Sequence, residues 1–144
     1  MPIQMLEGND ARSCEVGLTV PFHDLDPMHI VWHGNYFKYF DLARFALLDS
    51  RGIDLYAYFK KARILFPIVK TTTKHIIALR NRDELTCKAT VVEARMKIVT
   101  DFEIRRTGSR EICTKGRSEQ VAVKHPEMEI MYEIPDDIRR ALGF

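Results

Sequence analysis

The stretch from Tyr36 to Ser50, YFKYFDLARFALLDS, constrains the fold more than any other part of the chain. Only Lys38, Asp41, Arg44 and Asp49 interrupt its run of aromatic and aliphatic residues. The pattern predicts a helix with Asn35 as its N-cap, since an asparagine side chain can accept a hydrogen bond from a first-turn amide. Gly52 suits the C-terminal cap. A helix apolar on nearly every side must be covered on nearly every side, so the rest of the chain has to wrap around it.

The remainder supplies strands for that wrapping. EVGLTVPF (15–22) is β-prone, and DLYAYFKKA (54–62) reads as a short second helix. RILFPIVKTTTKHIIAL (63–79) is β-branched and broken by Pro67, the mark of a bent or edge strand. DELTCKATVVEARM (83–96) puts Leu85, Cys87, Ala89 and Val91 on one face, and KIVTDFEIRRT (97–107) puts Ile98, Phe102 and Ile104 on one face. Gly108 and Ser109 form a turn signal. REICTKGRSEQVAVKH (110–125) predicts another long strand with a bulge at Gly116, and Pro135 with Asp136 opens a short terminal helix.

One strand, one buried helix and then long strands joined by short turns make an α+β fold, a curved antiparallel sheet of about five strands around one central helix. The 144 residues fit one domain, 1–144, with 1–13 expected as a polar, mobile N-terminal segment. One sheet rarely covers all sides of such a helix, so a homodimer or homotetramer is expected. A formal net charge of +2 gives no mandate for nucleic acid. Three cysteines, Cys14, Cys87 and Cys113, lack a metal-like spacing and read as idle thiols in a reducing cytoplasm. No segment has the apolar length of a membrane span or a signal peptide, so a cytoplasmic protein is expected.

Chemistry concentrates in the loop before the helix, HDLDPMHIVWHGN (23–35). Pro27 biases Asp26 to an extended conformation. The first turn of a helix has amides without internal partners and a partial positive charge, which can hold an oxygen whose negative charge grows in a reaction. A carboxylate opposite such amides can attack or hydrate an activated carbonyl, as nucleophile or general base. The same residues also have a plain reading. Asp24 and Asp26 can simply satisfy loop amides, and His33 can be a packing or capping residue. Asp26, His29 and His33 lie in a loop rather than on one helix face, and no metalloprotease glutamate accompanies them, so no metal site is expected.

DLDPMHIVWHGNYFKYFDLAR resembles the signature of the 4-hydroxybenzoyl-CoA thioesterase-like family, with Asp24, Asp26, Ile30, Val31, Trp32, His33, Tyr36, Asp41, Ala43 and Arg44 in step with it. Phe22 and His29 depart from the family's usual residues. The resemblance implies a hotdog fold and hydrolysis of an acyl-CoA thioester without metal or organic cofactor. It implies Asp26 as the catalytic carboxylate and His33 as a second catalytic residue, whose backbone amide binds the thioester oxygen. Trp32 and Tyr36 are expected at the substrate, anchoring the helix together with Phe37. Arg95 and Lys97 fall at the turn where aryl-CoA members hold the nucleotide, although a solvated basic hairpin would look the same. Arg80, Arg82, Arg105, Arg106 and Arg110 are further basic residues without an assigned role. An acyl-binding protein without hydrolysis, or a thioesterase acting on acyl carrier protein, is the alternative.

Overall fold

The computed structural model describes residues 12–144 and the backbone of 4–6. A short strand β1 (Gln4–Leu6) pairs antiparallel with β2 (Ser13–Thr19). The segment 1–13 was expected to be mobile. That expectation otherwise falls on residues outside those described, apart from Arg12 and from Ser13, which opens β2. Next come helices α1 (Asn35–Ser50) and α2 (Leu55–Ala62), strands β3 (Ile64–Leu65), β4 (Ile68–His75), β5 (Glu84–Glu93), β6 (Ile98–Arg106), β7 (Ile112–Gln120), β8 (Val123–Lys124) and β9 (Glu129–Ile130), and helix α3 (Asp136–Ala141). The main sheet is antiparallel throughout, in the order β1-β2-β5-β6-β7-β4, and β3-β8-β9 form a smaller sheet. This is the expected α+β architecture, with one short strand added at the edge and Pro67 breaking β3 from β4.

Period-two alternation sets the inner face of the sheet. Leu85, Cys87, Ala89 and Val91 of β5 and Ile98, Phe102 and Ile104 of β6 are all buried against α1 and its surroundings. Each fully buried large side chain contributes roughly 1.5–3 kcal/mol. The three cysteines are buried and free.

The helix is less enclosed than its sequence suggests. Its buried residues are Tyr36, Tyr39, Phe40, Ala43, Arg44, Leu47 and Leu48, a single stripe at helical spacing. Phe37 and Phe45 face outward, 42% and 54% exposed. The sheet therefore covers one face of α1, and the outer aromatic residues lie bare within one chain. The cap also differs. Gly34, not Asn35, occupies the N-cap position, with no side-chain hydrogen bond to it. Asn35 instead turns back and donates from Nδ2 to the Asp24 carbonyl at 2.9 Å. At α2 the capping chemistry is conventional, with Asp54 accepting from the Tyr56 and Ala57 amides.

Gly116 is not a bulge. The β6–β7 register runs unbroken through Phe102↔Gly116 and shifts only between Ile104 and Arg105. Its reason is close approach. A Cβ there would lie 2.5 Å from the ring of Phe40, and Phe40 stacks on Phe102 with ring centroids 4.6 Å apart. Gly116→Ala should therefore force a buried, stacked ring to move, lowering stability by about 1–3 kcal/mol. Chemical denaturation would measure it, and pairing the change with Phe40→Leu should recover part of the loss.

Candidate active site

The helix N-terminus lies at one end of the sheet, beside the start of β5 and the ends of β4 and β6. Val20 and Val31 donate to the carbonyls of Asp83 and Leu79 there. The loop that brings the chain to this point is fastened by Asp24. Its carboxylate is buried and accepts from Lys38 Nζ and from the Tyr39 hydroxyl, each at 2.6 Å. Its carbonyl accepts from the Trp32 amide at 3.0 Å and from Asn35 Nδ2. Burial alone would raise the Asp24 carboxyl, but the hydrogen bonds from Lys38 and Tyr39 outweigh it and hold the group below the usual carboxylate range. Burial and that same carboxylate push the Tyr39 phenol up. Asp24 thus ties the loop to side chains of α1, whereas the loop amide that one reading of the sequence expected it to satisfy is taken by Asp26.

Asp26, two residues on, is placed differently. The loop closes as a small hairpin, with the Asp26 amide donating to the Ile30 carbonyl at 2.8 Å and Leu25 bridging Val31. Asp26 Oδ1 accepts from the Met28 amide at 2.8 Å, an Asx turn ahead of the left-handed His29 at φ 62°. Among the described residues, Oδ2 has no protein partner. The carboxylate is half-buried, and its charge acts on Tyr36 in the first turn of α1.

The amides that a carbonyl oxygen would need are present. Asn35 donates to the Trp32 carbonyl and Tyr36, at 3.4 Å, to that of His33, but among the described residues the amides of His33 and Gly34 donate to no protein acceptor. The indole of Trp32 lies against Gly34. A Cβ on Gly34 would fall 2.3 Å from that ring, so a larger residue there would push the indole aside. Trp32 and Phe37 are exposed rather than anchoring the helix, and of the three expected anchors only Tyr36 is buried. Burial raises the Tyr36 phenol against the pull of Thr114 and the Leu79 carbonyl. The Thr114 hydroxyl is itself fully buried.

Asp26, Trp32, His33 and Tyr36 therefore gather at one end of the sheet, while Arg95 and Lys97 lie at the other, in the turn between β5 and β6. Lys97 is engaged with Glu119 at 2.8 Å. At the helix end, Arg106 ties to Asp83 and the Ala78 carbonyl, and Arg105 to Glu103. The sequence reading passed over His75. It ends the edge strand β4, and its ring meets the edge of Tyr36 with centroids 4.4 Å apart. No local motif marks it, because only strand pairing brings it to the helix. Among the described residues no three His, Cys, Asp or Glu side chains converge as a metal ion would require. No described helix is long and apolar enough to cross a membrane.

A sequence model of the thioesterase superfamily matches residues 28–113, starting just past Asp26 and taking in His33. The chain belongs to the thioesterase superfamily. The expected enzyme class, a thioester hydrolase, is that of this family. The chain is 26% identical over 140 residues to the Synechocystis sp. protein named "Putative esterase sll0410", covering 96% of this chain and 84% of that one. In fold it is similar to 4-hydroxybenzoyl CoA thioesterase from Pseudomonas sp. strain CBS-3, with a TM-score of 0.80 at 22% identity over 90% of this chain and 99% of that one. It is also similar to a 1,4-dihydroxy-2-naphthoyl-CoA thioesterase from Synechocystis, with a TM-score of 0.80 at 17% identity over 90% and 95% of the two chains. The sheet wrapped on α1 is the hotdog fold that the sequence implied.

Separating the two aspartates gives a direct check. Because the folded Asp24 carboxyl sits below its unfolded value of about 3.9, the stability it contributes is complete above that value. It is lost as pH falls toward the folded value. Asp24→Asn should lower stability at pH 7 by about 1–3 kcal/mol, the range for a charge-assisted buried hydrogen bond, and should flatten the acid side of the stability–pH curve. Denaturant titrations at several pH values would show both.

Proposed function

We propose that this protein hydrolyses an acyl-CoA thioester to a free acid and CoA at the N-terminus of α1. The observation that carries the reading is the pair of partnerless amides at His33 and Gly34, set one loop away from a carboxylate with a free Oδ2. The thioester oxygen is held by those amides, where the helix dipole and two hydrogen bonds stabilise the charge that develops on it. Asp26 acts on the thioester as nucleophile or as general base. The His33 side chain stands beside the same oxygen, exposed to substrate. Trp32 covers the reacting carbonyl, and Tyr36 shapes the floor beneath it. The acyl group follows the gap between α1 and the edge strand, a groove of about 150 Å³ whose apolar walls are Phe37, Phe40 and Ile68.

The nucleotide end requires a second copy. Strand β4 has a free edge and exposed Ile68 and Val69. Two such edges pairing antiparallel about a two-fold axis continue the sheet. The Ile68 end of one copy then lies beside the His75 end of the other. Because Ile68 and the β5–β6 turn share one end of the sheet, the Arg95 and Lys97 of a second copy come to the same side as the thioester site. There they bind the phosphates of CoA through charge-assisted hydrogen bonds. The functional unit is a homodimer or an assembly of homodimers, and the reaction uses no metal or organic cofactor.

A panel of aryl-, short- and long-chain acyl-CoA thioesters tests the reading, with 4-hydroxybenzoyl-CoA and 1,4-dihydroxy-2-naphthoyl-CoA included because the structural relatives are named for them. On the best substrate, Asp26→Asn should lower kcat by about 10² or more, with melting temperature and oligomeric state unchanged. Near-full turnover by that variant would rule out the carboxylate mechanism. Binding of CoA thioesters without turnover by the wild type would point to an acyl-binding protein instead.

Arg95→Ala with Lys97→Ala should raise KM for acyl-CoA but leave a thioester lacking the nucleotide unaffected. Mixing that double variant with Asp26→Asn protein should restore one good site per mixed dimer. Absence of recovery after verified subunit exchange would place the phosphates elsewhere.

A further inference from the structure

At the helix end of the sheet, one titratable side chain that touches the first turn of α1 has had no role so far. His75 is the last residue of β4, and the register pairs it with Thr114. Thr114 is fully buried on the helix side of the sheet. Paired residues on neighbouring strands point to the same face, so His75 also points toward α1. Lys74, its chain neighbour, points to the opposite face in register with Lys115. Just past His75 the Ile76 and Ile77 amides both donate to the Cys113 carbonyl, at 2.8 and 3.0 Å, which fixes the strand end.

The surroundings of the ring are those of the proposed site. Its face or edge meets Tyr36 from α1 at 4.4 Å between centroids. His33, from the loop, is close enough for its charge to act on His75, and Asp26 acts on the same Tyr36 from the loop. The imidazole thus touches the tyrosine that follows the two free amides in the chain and on which the Asp26 charge acts. The Thr114 hydroxyl beneath them is fully buried beside Tyr36. That hydroxyl makes the floor under His75 polar rather than simply filled.

We infer that His75 is a second imidazole of this hydrolytic site and carries the proton from the attacking water to the departing sulfur. The inference rests on the thioester reading above. Hydrolysis must move one proton from water to the CoA sulfur. As the water oxygen bonds to the acyl carbon, its proton is taken by Asp26 as general base and passed on to a free ring nitrogen of His75. The carbonyl π pair moves onto the oxygen held by the His33 and Gly34 amides. When the intermediate collapses, the C–S bond breaks, the pair stays on sulfur, and the sulfur takes the proton from the imidazolium. If Asp26 attacks first, the C–S bond breaks and the sulfur leaves as a thiolate; water then adds to the acyl carbon of the acyl–aspartate anhydride, His75 takes its proton, the Asp26 carboxylate leaves, and the imidazolium gives the proton to the thiolate. In both cases His75 ends neutral. Burial, and then the charge of His33, hold the imidazole below its ordinary value of 6.5, so the resting ring at neutral pH is the base form the step needs.

The test uses the acyl-CoA that the wild type turns over fastest. His75→Phe preserves an aromatic contact with Tyr36, and His75→Ala leaves room for a small guest. Both should lose at least about 10² in kcat with KM within a few-fold. Both should lose the fall in rate that the wild type shows below neutral pH. Added imidazole should restore turnover to His75→Ala but not to His75→Phe. Unchanged melting curves and oligomeric state would exclude a folding defect. If His75→Phe keeps turnover within about threefold of wild type and the same pH profile, the role is overturned while hydrolysis stands. If the wild type turns over no thioester, the hydrolytic reading fails and takes the role of His75 with it.

Discussion

The candidate site depends on one buried carboxylate whose oxygens are engaged by the helix it fastens. Asp24 joins Lys38 and Tyr39 of the helix to the loop that precedes it, and its own carbonyl holds the Trp32 amide and the Asn35 side chain. These bonds link residues 24, 32, 35, 38 and 39, so the loop between them has little freedom to drift from the helix start. Breaking such a cluster at one member leaves the others buried without partners, which costs more than the bonds contribute in net terms. The free amides at His33 and Gly34 exist because this clamp ends the loop where the helix has not yet begun its own hydrogen-bond ladder.

A consequence of this design is that α1 carries two unlike faces. The inward stripe packs on β2, β5, β6 and β7 and includes the buried Arg44, paired with Asp41 and with Ser118. The outward face keeps Phe37 and Phe45 bare, next to a sheet edge that is also unpaired. Within one chain the apolar content of the helix exceeds what one sheet covers, and the excess lies on the side where the groove runs. On the proposed reading the same surface would serve the acyl group and the second copy, which would link assembly to substrate access.

Much of the fold was legible because period-two alternation is unambiguous where one face is buried. Leu85 through Val91 and Ile98 through Ile104 point inward as their spacing requires, and Pro67 interrupts a strand because it cannot donate to the ladder. What misled was local chemistry with two solutions. Asn35 has the side chain of an N-cap but spends it on the Asp24 carbonyl, and Gly116 has the freedom of a bulge but is needed for the ring of Phe40. In the loop, Asp24 and Asp26 are the same residue type two positions apart, and only their surroundings, one enclosed and one half-open, tell them apart. His75 was illegible for a different reason. It lies far along the chain from the loop, in a run of threonines and lysines, and no pattern near it records that β4 folds back to end beside Tyr36.

The indole over Gly34 alters the medium in which the helix terminus works. Trp32 is about half exposed, and its ring lies against Gly34. Coulomb energy varies inversely with the local dielectric constant, so the same dipoles act several-fold more strongly beneath an apolar plate than in open water. The plate is a side chain at the rim rather than a wall of the core, and on the proposed reading its shielding would be completed by an acyl group sliding under it. The electrostatic strength of this terminus is therefore a property of the occupied protein. An empty site leaves the amides hydrated, and a correct guest, by excluding water, sharpens the field that acts upon it.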